Sequence, residues 1–484
     1  MKYKGIMLLG TASSVGKSTL ALGFCRYFKE KGYDVAPYKA LNISLNSFVT
    51  KEGDEIGRAQ VVQAEACEIE PKEYMNPILM KPSKGFGTQV IVRGKVHCTM
   101  DAYKYKELNS FLKEKAKEAY IDIKKDHDLI VLEGSGSCAE INLRDTDIAN
   151  FQTAKMTDSD CILVADIDRG GVFASIVGTL SLLTEDERRR VKGVIINKFR
   201  GKKEFFTDAM KQLEDIIGVK VLGAMPYFNL NIEDEDSTEI KDLGKGFGIE
   251  VKVIRTPHMS NFTDFNSLER IENINLKYVK NPSELDNSDL IIIPGSKNTI
   301  EDLKYLKQTG FKEKLYKLKE EGTPILGICG GYQILGKEIE DPFKVEGDSL
   351  KEEGLNLLSL KTVFNKNKCT RQIEAYTLSK EKVKGYEIHN GSSEILDLKE
   401  EWIKDSKGNI LGLKNGNVYG TYIHGLFDEN EFLESFMKSI VKDYEIKLKN
   451  NKNYNDYKIS QYDELLKILK ENIDMEYVES LIKG

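Results

Sequence analysis

Short runs of consecutive apolar residues alternate along the chain with longer segments in which apolar positions return every three or four residues. "GIMLL" is followed by "KSTLALGFCRYFKEKG", and "HDLIVLEG" follows an amphipathic stretch from Asp101 to Lys125. "CILVADID", "VKGVIINKF" and "VKVLGAMP" continue the series, each parted from the next by a helix-length stretch. A strand apolar at every position is covered on both faces, and a helix between two such strands carries the chain back for parallel pairing. The rhythm stops at "NLNIEDEDSTEIKDLGKGFG", residues 229–248, which is acidic, punctuated by glycine and poor in large apolar residues. That composition marks a linker. A second series follows: "IEVKVIRTP", "INLKYV", "SDLIIIPG", "TPILGICGG" and later "GNVYGTYIHG". The pattern predicts an α/β protein of two tandem domains, residues 1–228 and 249–445, each a mostly parallel sheet flanked by helices. The charged end from about residue 430 reads as amphipathic helix, and 446–484 form an extension expected to be a dimer contact or a solvated cap.

Composition narrows the class. The chain has 484 residues, 40% hydrophobic and 31% charged, which suits two or three globular domains. A net charge of −6 gives no electrostatic reason to expect nucleic acid or an anionic membrane as partner. No apolar run reaches the ~18 residues that span a bilayer. The start, "MKYKGIMLLG", superficially has the lysines and apolar run of a secretory signal, but it leads straight into a Gly-Lys-Ser turn without a small-residue cleavage site. A buried first strand is expected there. Seven cysteines are scattered with no C-x-x-C pair, which argues against a zinc site or disulfide framework and suits the reducing cytoplasm.

Two turns carry chemistry. In "GTASSVGKST", Gly10 and Gly16 have five residues between them, one more than the common phosphate-binding loop. The context is still a strand, a Gly-rich turn and Lys-Ser opening a helix, so backbone N–H groups and the helix N-terminus face an anion. Thr11, Ser14, Val15, Gly16, Lys17, Ser18 and Thr19 are the candidate nucleotide-binding residues; the bland alternative is a capped helix start with an incidental lysine. In "PILGICGGYQIL", Cys329 sits in a G-x-C-x-G turn after a strand and before a helix. That is a nucleophile-elbow layout, and "GTYIHGLF" puts His424 at the end of a later strand as a candidate base. A lone cysteine is more often a small buried hydrophobe, but the flanking glycines and the preceding strand favour the nucleophile.

These stretches resemble known families. "GTASSVGKS" resembles the variant loop of the dethiobiotin synthetase-like ATPases, which use ATP to activate a carboxylate. The second domain resembles the class I glutamine amidotransferases, with Cys329 and His424 in the places of nucleophile and base. In that resemblance "IIIPGSKNT" supplies Gly295 and Ser296, together with Gly330, to the oxyanion hole. One departure is plain: where that family has Glu two positions beyond the His, this chain has Leu426. Either another group orients the imidazole or the site is a Cys-His dyad; Asp428 is the nearest acid downstream.

Longer blocks are more specific. "YKALNISLNSFVT", "EIGRAQVVQAEAC", "MNPILMKPSKGFGTQVIVRGKV", "EGSGSCAEINLRDTDIANF", "VADIDRGGVFASIVGTLSLL" and "GYEIHNG" resemble, in order, blocks of the cobyric acid synthase family. The resemblance implies ATP, Mg²⁺ and glutamine, and amidation of the b, d, e and g carboxylates of a corrinoid, adenosylcobyrinic acid a,c-diamide. Its relative, cobyrinic acid a,c-diamide synthase, is the enzymatic alternative. A partitioning-type P-loop ATPase is the non-catalytic alternative, and a homo-oligomer stays open. Under the resemblance Lys17 meets the β- and γ-phosphates, while Ser18 and Glu133 hold Mg²⁺, with Asp54 or Glu55 adding to the metal shell. Lys39 stabilises an acyl phosphate. Asp166, Asp168 and Arg169 lie at a strand's C-terminal end, where ligands bind in open α/β sheets. Asn42, Ser44, Asn46, Asn142 and Arg144 are candidates for the polycarboxylate, and His389 is expected near the domain interface. Four similar carboxylates on one ring cannot share one bound pose, so the substrate must rebind in several orientations and the site should be open.

Overall fold

The computed structural model describes residues 2–83, 87–101, 105–233, 242, 248–346, 349–441, 444–449 and 452–483. The apolar runs of the first series form one six-stranded parallel sheet. Across it lie Lys220–Pro226, Val191–Phe199, Asp160–Asp166, Ile6–Gly10, Leu129–Glu133 and Val35–Tyr38. Every residue of Ile6–Gly10 and Leu129–Glu133 is buried, as strands between two helical layers must be. Ile6–Gly10 lies in the middle, between Asp160–Asp166 and Leu129–Glu133. The ends of these central strands are where such a sheet opens a ligand crevice.

A second, smaller unit of the first domain was not legible as separate: Leu41–Ile43, Ile78–Ser83, Gly87–Val92 and Lys95–Met100 form a four-stranded sheet. Beside it Ser47–Val49 pairs with Glu55–Gly57. This unit faces the second domain: Thr370 Oγ1 donates to the Gly53 carbonyl at 2.8 Å, and Asn261 exchanges hydrogen bonds with the backbone of Ser47.

The second domain is built on an eleven-stranded sheet. Five strands at one end of it, in order from the edge Ile274–Val279, Ile249–Ile254, Leu290–Ile293, Ile325–Ile328 and Val418–Thr421, pair in parallel. Beyond them the sheet continues largely antiparallel through Ile410–Asn415, Glu401–Asp405 and a long hairpin, Leu360–Thr377 with Lys382–Ile395.

The C-terminal extension is not a solvated cap. Helices Tyr454–Asn472 and Met475–Lys483 return to the first domain, where Tyr462, Leu465, Leu469, Val478 and Ile482 join the core formed by Leu20, Phe24 and Phe28. The helix Lys17–Glu30 accepts them closely: a Cβ on Gly23 would lie 3.3 Å from Leu469 Cδ2. The Lys4 amide bonds to the Ile482 carbonyl at 2.9 Å. The apolar stripe of these helices needed a partner, and the uncovered face of Lys17–Glu30 is that partner. Of the linker, 234–241 and 243–247 lie outside the described residues. Its start is no free tether, because Glu233 is buried and paired with Arg58. Among the described residues no helix is long and apolar enough to cross a membrane.

Candidate active sites

The first site forms where Ile6–Gly10 gives way to Lys17–Glu30. Gly16 caps that helix with φ 96°, a left-handed conformation open to glycine. The loop before it is held by Asn197, which donates to the Val15 carbonyl at 2.8 Å, and by the Thr11 amide, which bonds to Val164 O at 3.0 Å. Lys17 Nζ curls over the loop to the carbonyls of Ala12 at 3.1 Å and Gly136 at 2.8 Å. The extra residue is thus accommodated in a wide, backbone-lined cradle.

Glu133 is the hub. It is 1% exposed, and three side chains donate to it at 2.7 Å: Ser18 and Lys39 to one oxygen, Gln63 to the other. Burial alone would raise its carboxyl; the Lys39 ammonium and the hydrogen bonds from Lys39, Ser18 and Gln63 together outweigh burial and hold it below the usual range. Gln63 escaped the sequence reading, since nothing in its helix, Arg58–Ala66, marks it apart from a surface glutamine.

These groups open on a cavity of about 860 Å³. Ser14, Gly16, Lys17, Ser18 and Thr19 line it from the loop, and Lys39, Asn42 and Glu133 from the adjoining strands. Asp166, Asp168 and Arg169 close another side, where Asp166 pairs with Lys198 at 3.1 Å and Asp168 with Arg200 at 2.6 Å. Other expected residues lie elsewhere. Arg144 donates to the Leu182 carbonyl at 2.6 Å, Asn142 is exposed, and Ser44 and Asn46 are buried against each other in a local turn.

The metal assignment of Asp54 and Glu55 is corrected: neither lines this cavity. Asp54 pairs with Lys95 at 2.8 Å. Glu55 is clamped between Lys81 at 2.9 Å and Lys368 at 2.6 Å. Burial would raise the Glu55 carboxyl, but these two ammonium groups hold it well below the carboxylate range. Lys368 belongs to the other domain, so the acid serves the interface.

The second site is the elbow. Cys329 follows Ile325–Ile328 with φ 52°, a left-handed conformation that is strained for a residue with a Cβ and that lifts its side chain off the sheet. Space is tight: a Cβ on Gly331 would lie 2.0 Å from Ile293 O, and one on Gly330 would lie 2.8 Å from the Ser296 amide nitrogen. The Gly295–Ser296 strand therefore rests directly on the elbow, with Ser296 against Gly330 and lining the same cavity as Cys329.

His424 is 1% exposed and on one side lines the cavity it shares with Cys329, whose thiol donates to the Ile388 carbonyl at 3.7 Å. On the other, its Nδ1 meets Asp264 Oδ2 at 2.7 Å, while Asp264 Oδ1 accepts from the Gly425 amide at 3.1 Å. Asp264 is the group that orients the imidazole. It lies in a 3₁₀ segment, Phe262–Arg270, and no spacing in the sequence ties it to the histidine. Asp428 takes no part in this; burial pushes its carboxyl up to about 7. Burial alone would lower the His424 pKa, yet Asp264 and then Cys329 outweigh burial and raise it to about 10. His389 lines the same cavity, stacked on Tyr422 at 3.8 Å, and burial lowers its pKa to about 4, so it is neutral.

One chain thus holds a phosphate cradle with an ionised carboxylate and a buried Cys-His-Asp triad. Residues 6–239 match the family model of the CobQ/CobB/MinD/ParA nucleotide binding domain, and residues 250–432 that of the CobB/CobQ-like glutamine amidotransferase domain. The protein named cobyric acid synthase in Clostridium perfringens strain SM101 is 68% identical, with 100% of each chain aligned. Its namesake in Clostridium botulinum strain Alaska E43 is 54% identical over 100% of each chain, and that in Clostridium tetani strain Massachusetts / E88 45% identical over 99% of each. The chain belongs to the cobyric acid synthase family.

Proposed function

We propose that the protein uses ATP and glutamine to turn peripheral carboxylates of a corrinoid into amides, making the b, d, e and g amides of adenosylcobyrinic acid a,c-diamide for cobalamin biosynthesis. The carrying observation is the pairing of the two sites in a chain whose full-length relatives bear the cobyric acid synthase name. In the second domain the Cys329 sulfur attacks the glutamine amide carbon. The proton for the leaving group is already on His424, which Asp264 stabilises as the imidazolium, and passes from there to the departing nitrogen, giving ammonia and a thioester. The amides of Ser296 and Gly330 face the developing oxyanion. Water then releases glutamate from Cys329.

In the first domain a substrate carboxylate takes the γ-phosphoryl group of ATP, leaving ADP and an acyl phosphate. Ammonia displaces the phosphate and leaves the amide. Lys17 and the loop amides neutralise phosphate charge, and Lys39 faces the acyl phosphate. Ser18 Oγ and Glu133 Oε1, 2.7 Å apart, form the hard oxygen pair that suits Mg²⁺. When bound there, Mg²⁺ would draw charge from the phosphates. A wide cavity of about 860 Å³ suits a large ring presented in several orientations.

The test is to incubate the protein with ATP, Mg²⁺, glutamine and adenosylcobyrinic acid a,c-diamide and to follow substrate mass. Four successive exchanges of –OH for –NH₂ are expected. With Cys329→Ala the series should persist from ammonium chloride, and with Lys17→Ala it should vanish. An untouched diamide, with cobyrinic acid amidated twice instead, would assign the chain to the a,c-diamide reaction.

A further inference from the structure

The cavity beside Cys329 and His424 is unusually charged. Lys81, Lys297, Lys368 and Glu346 line it. Lys81 comes from the first domain and is 4% exposed; with Lys368 it clamps Glu55. Lys297, next to the oxyanion residue Ser296, donates to Gln89 of the first domain at 3.0 Å. Glu346 accepts from the Thr299 amide at 2.6 Å.

Two ammonium groups, Lys81 and Lys368, thus share the one carboxylate of Glu55, and Lys297 and Glu346, both partly exposed, line the cavity beside them. Burying an uncompensated charge is expensive. The groups register it. Burial, then Lys368 and Lys81, lower Lys297 to about 7, and burial raises Glu346 to about 7. A ligand that brings an anion to the lysines and a cation to Glu346 relieves both. Glutamine carries that pair on its α-carbon, two methylenes from the amide carbon that must reach Cys329.

We propose that Lys81, Lys297 and Lys368 bind the α-carboxylate of glutamine and Glu346 its α-ammonium, so that the synthetase domain completes the glutamine site. This deepens the reading of Cys329 as a glutaminase nucleophile and rests on it. Glutamine is then held well only while the two domains stay apposed through Glu55, Lys81 and Gln89. A ligand in the first domain that moves the Leu41–Met100 unit changes glutamine affinity directly.

The test uses the full chain with ATP, Mg²⁺ and the corrinoid diamide present. Wild-type enzyme is compared on glutamine, on 4-aminobutanamide (no α-carboxylate) and on glutaramate (no α-ammonium). Both analogues should lose at least a hundredfold in kcat/KM. Lys81→Met and Lys368→Met should each raise the KM for glutamine at least tenfold with little change in kcat, and should narrow the discrimination against 4-aminobutanamide. Glu346→Gln should narrow the discrimination against glutaramate instead. Amidation from ammonium chloride measures the folded fraction of each preparation. Unchanged KM in both lysine variants overturns the proposal, as does a wild-type enzyme that takes 4-aminobutanamide as readily as glutamine. If wild type neither hydrolyses glutamine nor is alkylated at Cys329 by a diazoketone analogue of glutamine, the glutaminase reading falls and this proposal with it.

Discussion

His424 is buried between an acid and a thiol, so its proton affects folding as well as catalysis. Its pKa rises from 6.5 to about 10 in the folded chain. The stability this contributes is complete below pH 6.5 and is lost as pH rises through 10. Asp264→Asn should therefore flatten the fall of Tm across that window. It should also cut glutamine-driven turnover by about a hundredfold or more, because a neutral amide neither stabilises the imidazolium nor fixes its tautomer. Thermal melts against pH, with parallel assays on glutamine and on ammonium chloride, check both; an unchanged pH slope would show that the proton is held elsewhere. A second residue sets a steric limit. Gly331→Ala places a methyl 2.0 Å from Ile293 O, so the elbow or the oxyanion loop must shift, and glutamine hydrolysis should fall at least tenfold while ATP hydrolysis in the first domain continues.

At the scale of elements, the C-terminal helix is a test of what covers Lys17–Glu30. Leu469 is fully buried there, so Leu469→Ala should cost about 2–5 kcal/mol. The loss should appear as a lower denaturant midpoint and as faster proteolysis of the first domain, although the residue belongs to the last helix. The inner parallel strands of both sheets were legible in the sequence, because each is apolar on both faces and announces itself as an unbroken run: Ile6–Gly10, Leu129–Glu133 and Leu290–Ile293 are examples. The hairpin Leu360–Thr377 with Lys382–Ile395 was not. Its strands bury one face in part and read as "KTVFNKNKCTRQIEAYT", polar and broken. The same split holds at the sites. Lys17, Ser18 and Cys329 lie within short motifs, whereas Asp264 reaches His424 across 160 residues and Glu55 reaches Lys368 across 313. Contacts of that span leave no periodic or local trace.

For the molecule as a whole, one wide cavity must serve several carboxylates, so product has to leave and return. Quenched time courses should show mono-, di- and triamidated intermediates free in solution, and adding unlabelled intermediate should dilute a labelled chase. A single jump from substrate to final product would contradict the open site. The return of the last two helices to the first domain has a different consequence. On the ribosome the strands of that domain emerge first, but the residues that seal its core, Leu465, Leu469, Val478 and Ile482, emerge last, after the whole amidotransferase fold. The second domain is in effect an insertion within the first. The nascent first domain must wait with the apolar face of Lys17–Glu30 bare, which makes it the stretch a chaperone would hold and makes late truncations more damaging than their position suggests.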